Sequence, residues 1–385
     1  MRKKLLNYLV CPNTGISGFT LFAARLIRGG VEIYRAVDSE IRDDDDVIEG
    51  YVISNDRQYI YPIRYGVLSM VSDADVDLVE YQAHISEIDK NSSYEVSTLA
   101  AQNFERMKTR RKSEKSDTGD WNREEKSYYD ADVDSGKKRK VMSDEIPVRY
   151  LPHIYLHRDK YILKPLKADI AGKTLVEIGC GNARTIIRLM APEKFGYTFI
   201  GSDISFYRLV VAKIACPSAE FVQASAFNLP FKDSFADVGI AFGMLHHLPQ
   251  PVEGVKDLNR ILKEKAMLGL HEPVETKKII DGRFPALVEK MGTYVHSERD
   301  GEINLPEFMQ TLGALGYHQK RKVMLVSPFQ SMVTAFLSKC APSMLLSKPF
   351  YEVLITLDRL FIITVCRFAK VLHPRAVILL MERSG

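Results

Sequence analysis

The sequence predicts an α/β protein in which a doubly wound, mostly parallel sheet follows a small β-rich module. Two observations carry this. From about residue 170, short apolar runs alternate with segments whose apolar residues recur three and four apart. Residues 1–72, by contrast, are turn-rich and hold aromatic and β-branched clusters. The length, 385 residues, exceeds one ordinary domain. With 46% hydrophobic and 26% charged residues, wholesale disorder is excluded.

In the first segment, Val31-Glu32-Ile33-Tyr34 and Gln58-Tyr59-Ile60-Tyr61 read as strands. Between them, Asp43-Asp44-Asp45-Asp46 has no apolar partner to bury and predicts a solvated loop. Residues 73–120 predict a helix over 76–110 and then a charged linker. From 121 to the end runs the larger unit. Its strands are expected at Thr174–Ile178, Thr198–Asp203, Ala219–Ala224, Ala236–Phe242 and Ala266–His271, with a closing strand at Ala376–Met381. The clearest helix is 251–263, opened by Pro251, with Val252, Val255, Leu258, Ile261 and Leu262 on one face. Strands separated by helices imply parallel crossovers, and ligands of such sheets sit beyond the carboxyl ends of the strands.

The net charge of +4 on so long a chain neither demands nor excludes nucleic acid. Five widely spaced cysteines form no Cys-x-x-Cys clip, which argues against a disulfide framework and against a local zinc clip. Asp358, Arg359, Arg367 and Lys370 interrupt the apolar stretch from Val353 to Leu372, so it is not a spanning helix. The basic start has no long apolar run behind it, so no signal peptide is expected and the location is read as cytoplasmic.

Chemistry concentrates where the first two regular strands end. Gly179 and Gly181 follow Thr174–Ile178 and allow a sharp turn and close approach of a ligand. Asp203 ends the next strand, placed to accept hydrogen bonds from both hydroxyls of a ribose. A dinucleotide fingerprint needs glycine at 184, where Arg184 stands, so an adenosine cofactor without pyrophosphate fits better.

Glu177-x-Gly179-x-Gly181-x-Ala183 resembles the first motif of class I S-adenosylmethionine-dependent methyltransferases. Asp203, Asn228-Leu229-Pro230-Phe231, Phe235-Ala236-Asp237-Val238 and Met244-Leu245-His246-His247-Leu248 follow in register. The series resembles the subfamily with a Leu-His-His-Leu segment, closely over 170–275. The resemblance implies a Rossmann-like, seven-stranded sheet, S-adenosyl-L-methionine as cofactor and no metal. It also implies that Gly179, Gly181 and Glu177 border the methionine part. Asp203 would bind the ribose, Ile204 would pack on adenine, Ser225 and Ala226 would lie at the adenine amino group, and Phe242 would face the cofactor. Two departures are Ala183 for the last glycine and Ser225 where the family often has Asp.

Methyl transfer needs alignment above all, and a base only if the acceptor keeps its proton. His246 and His247 follow the fourth strand and are candidate catalytic groups; both could equally be structural. Candidate substrate residues are Tyr128 and Tyr129, in a segment resembling the helix that closes over the cofactor, and His271, which ends the fifth strand beside Glu272. Residues 274–317 resemble the substrate-side insertion, with Tyr294 and His296 as lining candidates, and 328–375 form an apolar-rich second insertion.

Residues near Cys11-Pro12 and Tyr61-Pro62-Ile63-Arg64-Tyr65-Gly66 look like the ends of a small zinc-ribbon family that accompanies methyltransferases. Its four ligand positions read Cys11, Thr14, Ser54 and Arg57 here, and one thiolate cannot hold tetrahedral zinc. The preferred acceptor is a small molecule, sugar or lipid-linked compound. RNA is the alternative, supported by the basic run Arg106–Lys115. A non-catalytic partner protein is the third reading. Oligomeric state is open.

Overall fold

The computed structural model describes residues 1–73, 77–89, 94–113, 157–274, 303–325, 353, 356–357 and 376–385. Five strands open the chain: β1 (Phe19–Arg28), β2 (Val31–Val37), β3 (Asp46–Ser54), β4 (Ile60–Arg64) and β5 (Val67–Ser69). Helices α1 (Leu78–Asp89) and α2 (Tyr94–Ser113) follow, two helices where the sequence suggests one. A π-helical turn, Asp159–Leu163, runs into α3 (Lys164–Lys167). The α/β part then alternates β6 (Thr174–Ile178), α4 (Arg184–Leu189), α5 (Pro192–Phe195), β7 (Thr198–Asp203), α6 (Phe206–Ala215), β8 (Glu220–Gln223), β9 (Ala236–Phe242), α7 (Pro251–Ile261) and β10 (Leu262–Pro273). It closes with α8 (Leu305–Ala314), β11 (Tyr317–Leu325) and β12 (Ala376–Arg383).

All twelve strands form one sheet, ordered β11-β12-β10-β9-β6-β7-β8-β5-β4-β3-β1-β2. From β6 onward the described residues supply seven contiguous strands, ordered β11-β12-β10-β9-β6-β7-β8, and four of their six pairs are parallel. The amino-terminal strands continue the same sheet, because β5 pairs in parallel with β8 through Leu68↔Val222 and Ser69↔Gln223. Their own pairs, β1–β2, β1–β3, β3–β4 and β4–β5, are antiparallel. Tight hairpin-type connections near the start impose antiparallel pairing, whereas helical crossovers from β6 onward impose parallel pairing. Strand order reverses between β6 and β9, which opens the crevice beyond their carboxyl ends.

Local chemistry explains the helices that frame this crevice. The hydroxyl of Ser205 accepts from the Arg208 N–H and caps α6, whose Phe206, Leu209 and Ala212 are buried. Pro251 starts α7, which turns Val255, Leu258 and Ile261 into the core.

The amino-terminal strands share their core with the α/β part. Leu9 and Phe231 are fully buried and bridged, the Val10 N–H donates to the Pro230 carbonyl at 3.1 Å, and the Lys232 N–H donates to the Tyr8 carbonyl at 2.8 Å. The acidic run is corrected only in its second half, since Asp43 and Asp44 are exposed in a turn as expected. Asp45 is fully buried and accepts from Arg28 Nε at 2.7 Å, while Asp46 begins β3 and pairs with the Met1 ammonium and with Lys213. Nearby cations, not apolar neighbours, bring these carboxylates inside. At the ribbon positions, Cys11 Sγ lies 3.1 Å from Tyr61 Oη, and Ser54 Oγ accepts from the Tyr59 N–H. Among the described residues no helix is long and apolar enough to cross a membrane, and no group of three His, Cys, Asp or Glu could hold a metal ion.

Candidate active site

The floor of the crevice is the turn after β6. Gly179 and Gly181 have φ of +61° and +53°, a region costly to side chains. Space matters as well: a Cβ on Gly179 would fall 1.9 Å from Met244 Cγ. The turn is tied to the next strand. Asp203 Oδ2 accepts from the Gly181 N–H at 2.7 Å, and Oδ1 accepts from the Ser205 N–H at 2.9 Å. Two backbone donors thus hold the carboxylate at the rim.

Glu177, in β6, lies below the same turn and is almost completely buried. Its Oε2 has no hydrogen-bond partner among the described residues. Burial pushes its carboxyl up to about 8; the nearby Asp203 adds to the rise and Arg158 opposes it. A buried carboxyl with an unused oxygen suits a cationic ligand group such as an ammonium.

The opposite wall is the turn after β9, which includes Gly243, Met244 and His247. Glu272, at the end of β10, accepts from the backbone N–H groups of Met244 (3.0 Å), Leu245 (3.1 Å) and His246 (3.4 Å). It also sits 2.8 Å from His246 Nδ1. One buried carboxylate therefore shapes the whole turn after β9 and orients the imidazole, whose Nδ1 carries the hydrogen toward Glu272. His247 packs against His246, with ring centroids 4.0 Å apart and the rings tilted by 38°, and faces the crevice.

Gly179, Asp203, Ile204, Ala226 and His247, five of the residues singled out from the sequence, line this crevice together with Met244. Others stand behind it. His246 is buried against Glu272. Ser225 is buried, and its hydroxyl accepts from the Phe227 N–H at 3.3 Å, so its neighbours Ala224 and Ala226 form the wall. Phe242 is buried, with the Arg158 guanidinium 4.7 Å from its ring centroid. His271 is buried and its Nδ1 accepts from Arg158 Nε at 3.0 Å. Tyr128, Tyr129, Tyr294 and His296 lie outside the described residues.

Arg158 is the residue that sequence reasoning missed. It reaches from the start of the π turn to His271 and, through Nη1, to Thr185 Oγ1 at 2.9 Å. It thereby joins the end of β10 to the start of α4. No local signal marks it, because it stands in a polar stretch well before β6.

Residues 176–269 match a family described as a methyltransferase domain. A tRNA (carboxymethyluridine(34)-5-O)-methyltransferase of Arabidopsis thaliana is 30% identical over 96 residues, 24% of this chain and 22% of that protein. A demethylmenaquinone methyltransferase of Staphylococcus haemolyticus is 32% identical over 113 residues, 28% of this chain and 46% of that protein. The chain thus spans less than half the length of either relative. Phosphoethanolamine N-methyltransferase 2 of Haemonchus contortus, solved with S-adenosyl-L-methionine, superposes with a TM-score of 0.43 at 14% identity, over 60% of this chain and 53% of that one. Over residues 176–269 the chain is thus similar to a methyltransferase domain.

Proposed function

We propose that the chain transfers a methyl group from S-adenosylmethionine to a small-molecule, sugar or lipid-linked acceptor by in-line displacement. The reading rests above all on Asp203, a carboxylate fixed by two backbone donors at the rim of a glycine turn, where a ribose would meet it. Ile204 and Ala226 would enclose the adenine. Gly179 and Gly181 would admit the methionine part, and the unused oxygen of Glu177 would receive its ammonium. Bound there, the cofactor supplies a sulfonium methyl carbon with a neutral leaving group.

The chain's task is then alignment, an effect that supplies roughly 7–11 kcal/mol. His247 would take a proton from a hydroxyl or amine acceptor at the mouth of the crevice. His246, held by Glu272, would keep the turn beneath it in place. Residues 121–385 would carry the reaction, with 1–72 as a metal-free ribbon-like module joined through 73–120.

Calorimetry with S-adenosylhomocysteine tests the reading. Binding is expected in the parent chain. Asp203→Ala should remove two charge-assisted bonds, each worth roughly 1.5–3 kcal/mol. Equal affinity in the folded variant would refute the ribose assignment.

RNA as acceptor is a second reading, favoured by the likeness to a tRNA methyltransferase. It requires salt-steep binding, about −0.7 log units per phosphate contact per log unit of salt for single strands. Filter binding is expected to show only weak RNA binding that Arg110→Ala, Arg111→Ala and Lys112→Ala together barely change. Tight, salt-steep binding abolished by that triple change would replace the small-molecule reading.

A further inference from the structure

The wall that would receive adenine is not built by the methyltransferase domain alone. Ile204 lines the crevice, yet it also packs against a cluster from the amino-terminal half that includes Tyr51, Ile53, Val71 and Tyr81. The residue joining the two is Gln223, the last of β8, which is 1% exposed. In the sheet it is the register partner of Asp203 on one side and of Ser69 on the other. Its backbone carbonyl accepts from the Met70 N–H at 2.9 Å. Its side-chain amide works in three directions: Oε1 accepts from the Ser69 hydroxyl, while Nε2 donates to the Ile204 carbonyl at 3.1 Å and lies 3.4 Å from Glu80 Oε2 on α1.

A buried amide can be satisfied from only a few directions, and here the amino-terminal strands and α1 supply two of them. The third is the carbonyl of the crevice residue that follows Asp203. Because the Ser69 hydroxyl occupies Oε1, the amide is oriented with Nε2 toward Ile204. Ile204 is therefore held twice by the amino-terminal half, through its side chain in the apolar cluster and through its carbonyl by way of Gln223.

We propose that Gln223 is a positioning residue of the cofactor site, through which β5 and α1 set the geometry of the adenine wall, so that the amino-terminal module contributes to affinity for the adenosine part of the cofactor without touching it. This rests on the methyltransferase reading above. It assigns the module a role in the cofactor half of the site, separate from any role toward the acceptor.

The test uses the full chain and calorimetry with S-adenosylhomocysteine and with 5′-methylthioadenosine, which lacks the amino-acid part. Gln223→Leu should weaken both ligands by the same factor, about tenfold, and Ser69→Ala by about threefold, each losing hydrogen bonds that orient Ile204. Binding stoichiometry should stay unchanged; a merely structural role would lower the competent fraction and leave the affinity alone. In Gln223→Glu, beside Glu80 and Asp203, the new carboxyl donates to the Ile204 carbonyl only when protonated. Its affinity relative to the parent should thus recover between about pH 8 and about pH 5, whereas the ratio for Gln223→Leu stays flat.

Should Gln223→Leu fail to fold, Ser69→Ala and Gln223→Glu carry the test. Parent-like affinity in the folded variants overturns the proposal, as does a loss seen with S-adenosylhomocysteine but not with methylthioadenosine. A parent chain that binds neither ligand overturns the methyltransferase reading itself, and this proposal with it.

Discussion

Asp45, between β2 and β3, and Glu177, in β6, are both withdrawn from solvent, and the protein treats them in opposite ways. Asp45 accepts from Arg28 Nε at 2.7 Å, from Arg28 Nη2 at 2.6 Å and from the Arg42 N–H at 2.9 Å. The Arg28 hydrogen bond is the main cause holding its carboxyl below the usual range. Glu177 has an oxygen with no hydrogen-bond partner, and burial raises its carboxyl to about 8. The glycines repeat the contrast. Gly15 and Gly179 both have positive φ, but a Cβ on Gly15 would meet nothing within 4 Å, whereas one on Gly179 would strike Met244. Asp45 is thus closed upon its partners, whereas Glu177, beside the crevice, is left incomplete, a state that suits a binding site.

The largest effect that would break this contrast belongs to Glu177. Its folded carboxyl keeps a proton up to about pH 8, whereas the ordinary value is 4.5, so parent stability is lost as pH rises through that window. Glu177→Gln should therefore gain stability from pH 4.5 upward, reaching on the order of 4 kcal/mol above pH 8, while binding S-adenosylhomocysteine more weakly. Denaturant titrations across pH check this; a pH-independent difference would mean that Glu177 is satisfied after all.

Next comes Gly179→Ala, expected to cost about 3 kcal/mol from left-handed strain plus displacement of Met244, and to abolish S-adenosylhomocysteine binding. Asp45→Asn sharpens the other side. It should cost about 1–2 kcal/mol at neutral pH. Because the folded pKa of Asp45 is depressed, its contribution is present above the ordinary value of 3.8 and is lost as pH falls further. The smallest effect is Gly15→Ala, about 1 kcal/mol of backbone strain with cofactor binding untouched. Equal costs at Gly15 and Gly179 in thermal melts would erase the distinction between the two turns.

Much of the α/β framework was legible because its signals are local. Thr174–Ile178, Thr198–Asp203 and Ala236–Phe242 are strands with the bounds read from apolar runs, and the periodicity of 251–263 yields a helix over Pro251–Ile261. The glycine turn and Asp203 were legible for the same reason: spacing after a strand specifies which side chain reaches the carboxyl edge. What escaped is non-local. Periodicity tells which face of a strand is buried, not which strand lies beside it, so nothing in Val67–Ser69 announced β8 as its neighbour. Asp45 read as solvated because its partner Arg28 lies 17 residues earlier. Arg158 and the clamp that Glu272 places on Met244, Leu245 and His246 are likewise contacts between distant segments.

The joining of β5 to β8 also bears on aggregation. Without its neighbour, β8 would present an unpaired row of backbone donors and acceptors beside the buried side chains of Phe221 and Val222, a template for any extended chain. The amino-terminal strands move the end of the sheet outward to β2, where Glu32 is charged and Arg35, at φ +61°, interrupts the regular ladder. Tyr34 remains exposed there, but on a strand that is poorly shaped for a second chain to extend. A chain shortened to begin after β5 should therefore be lost to insoluble assemblies during expression, before any question of its activity arises.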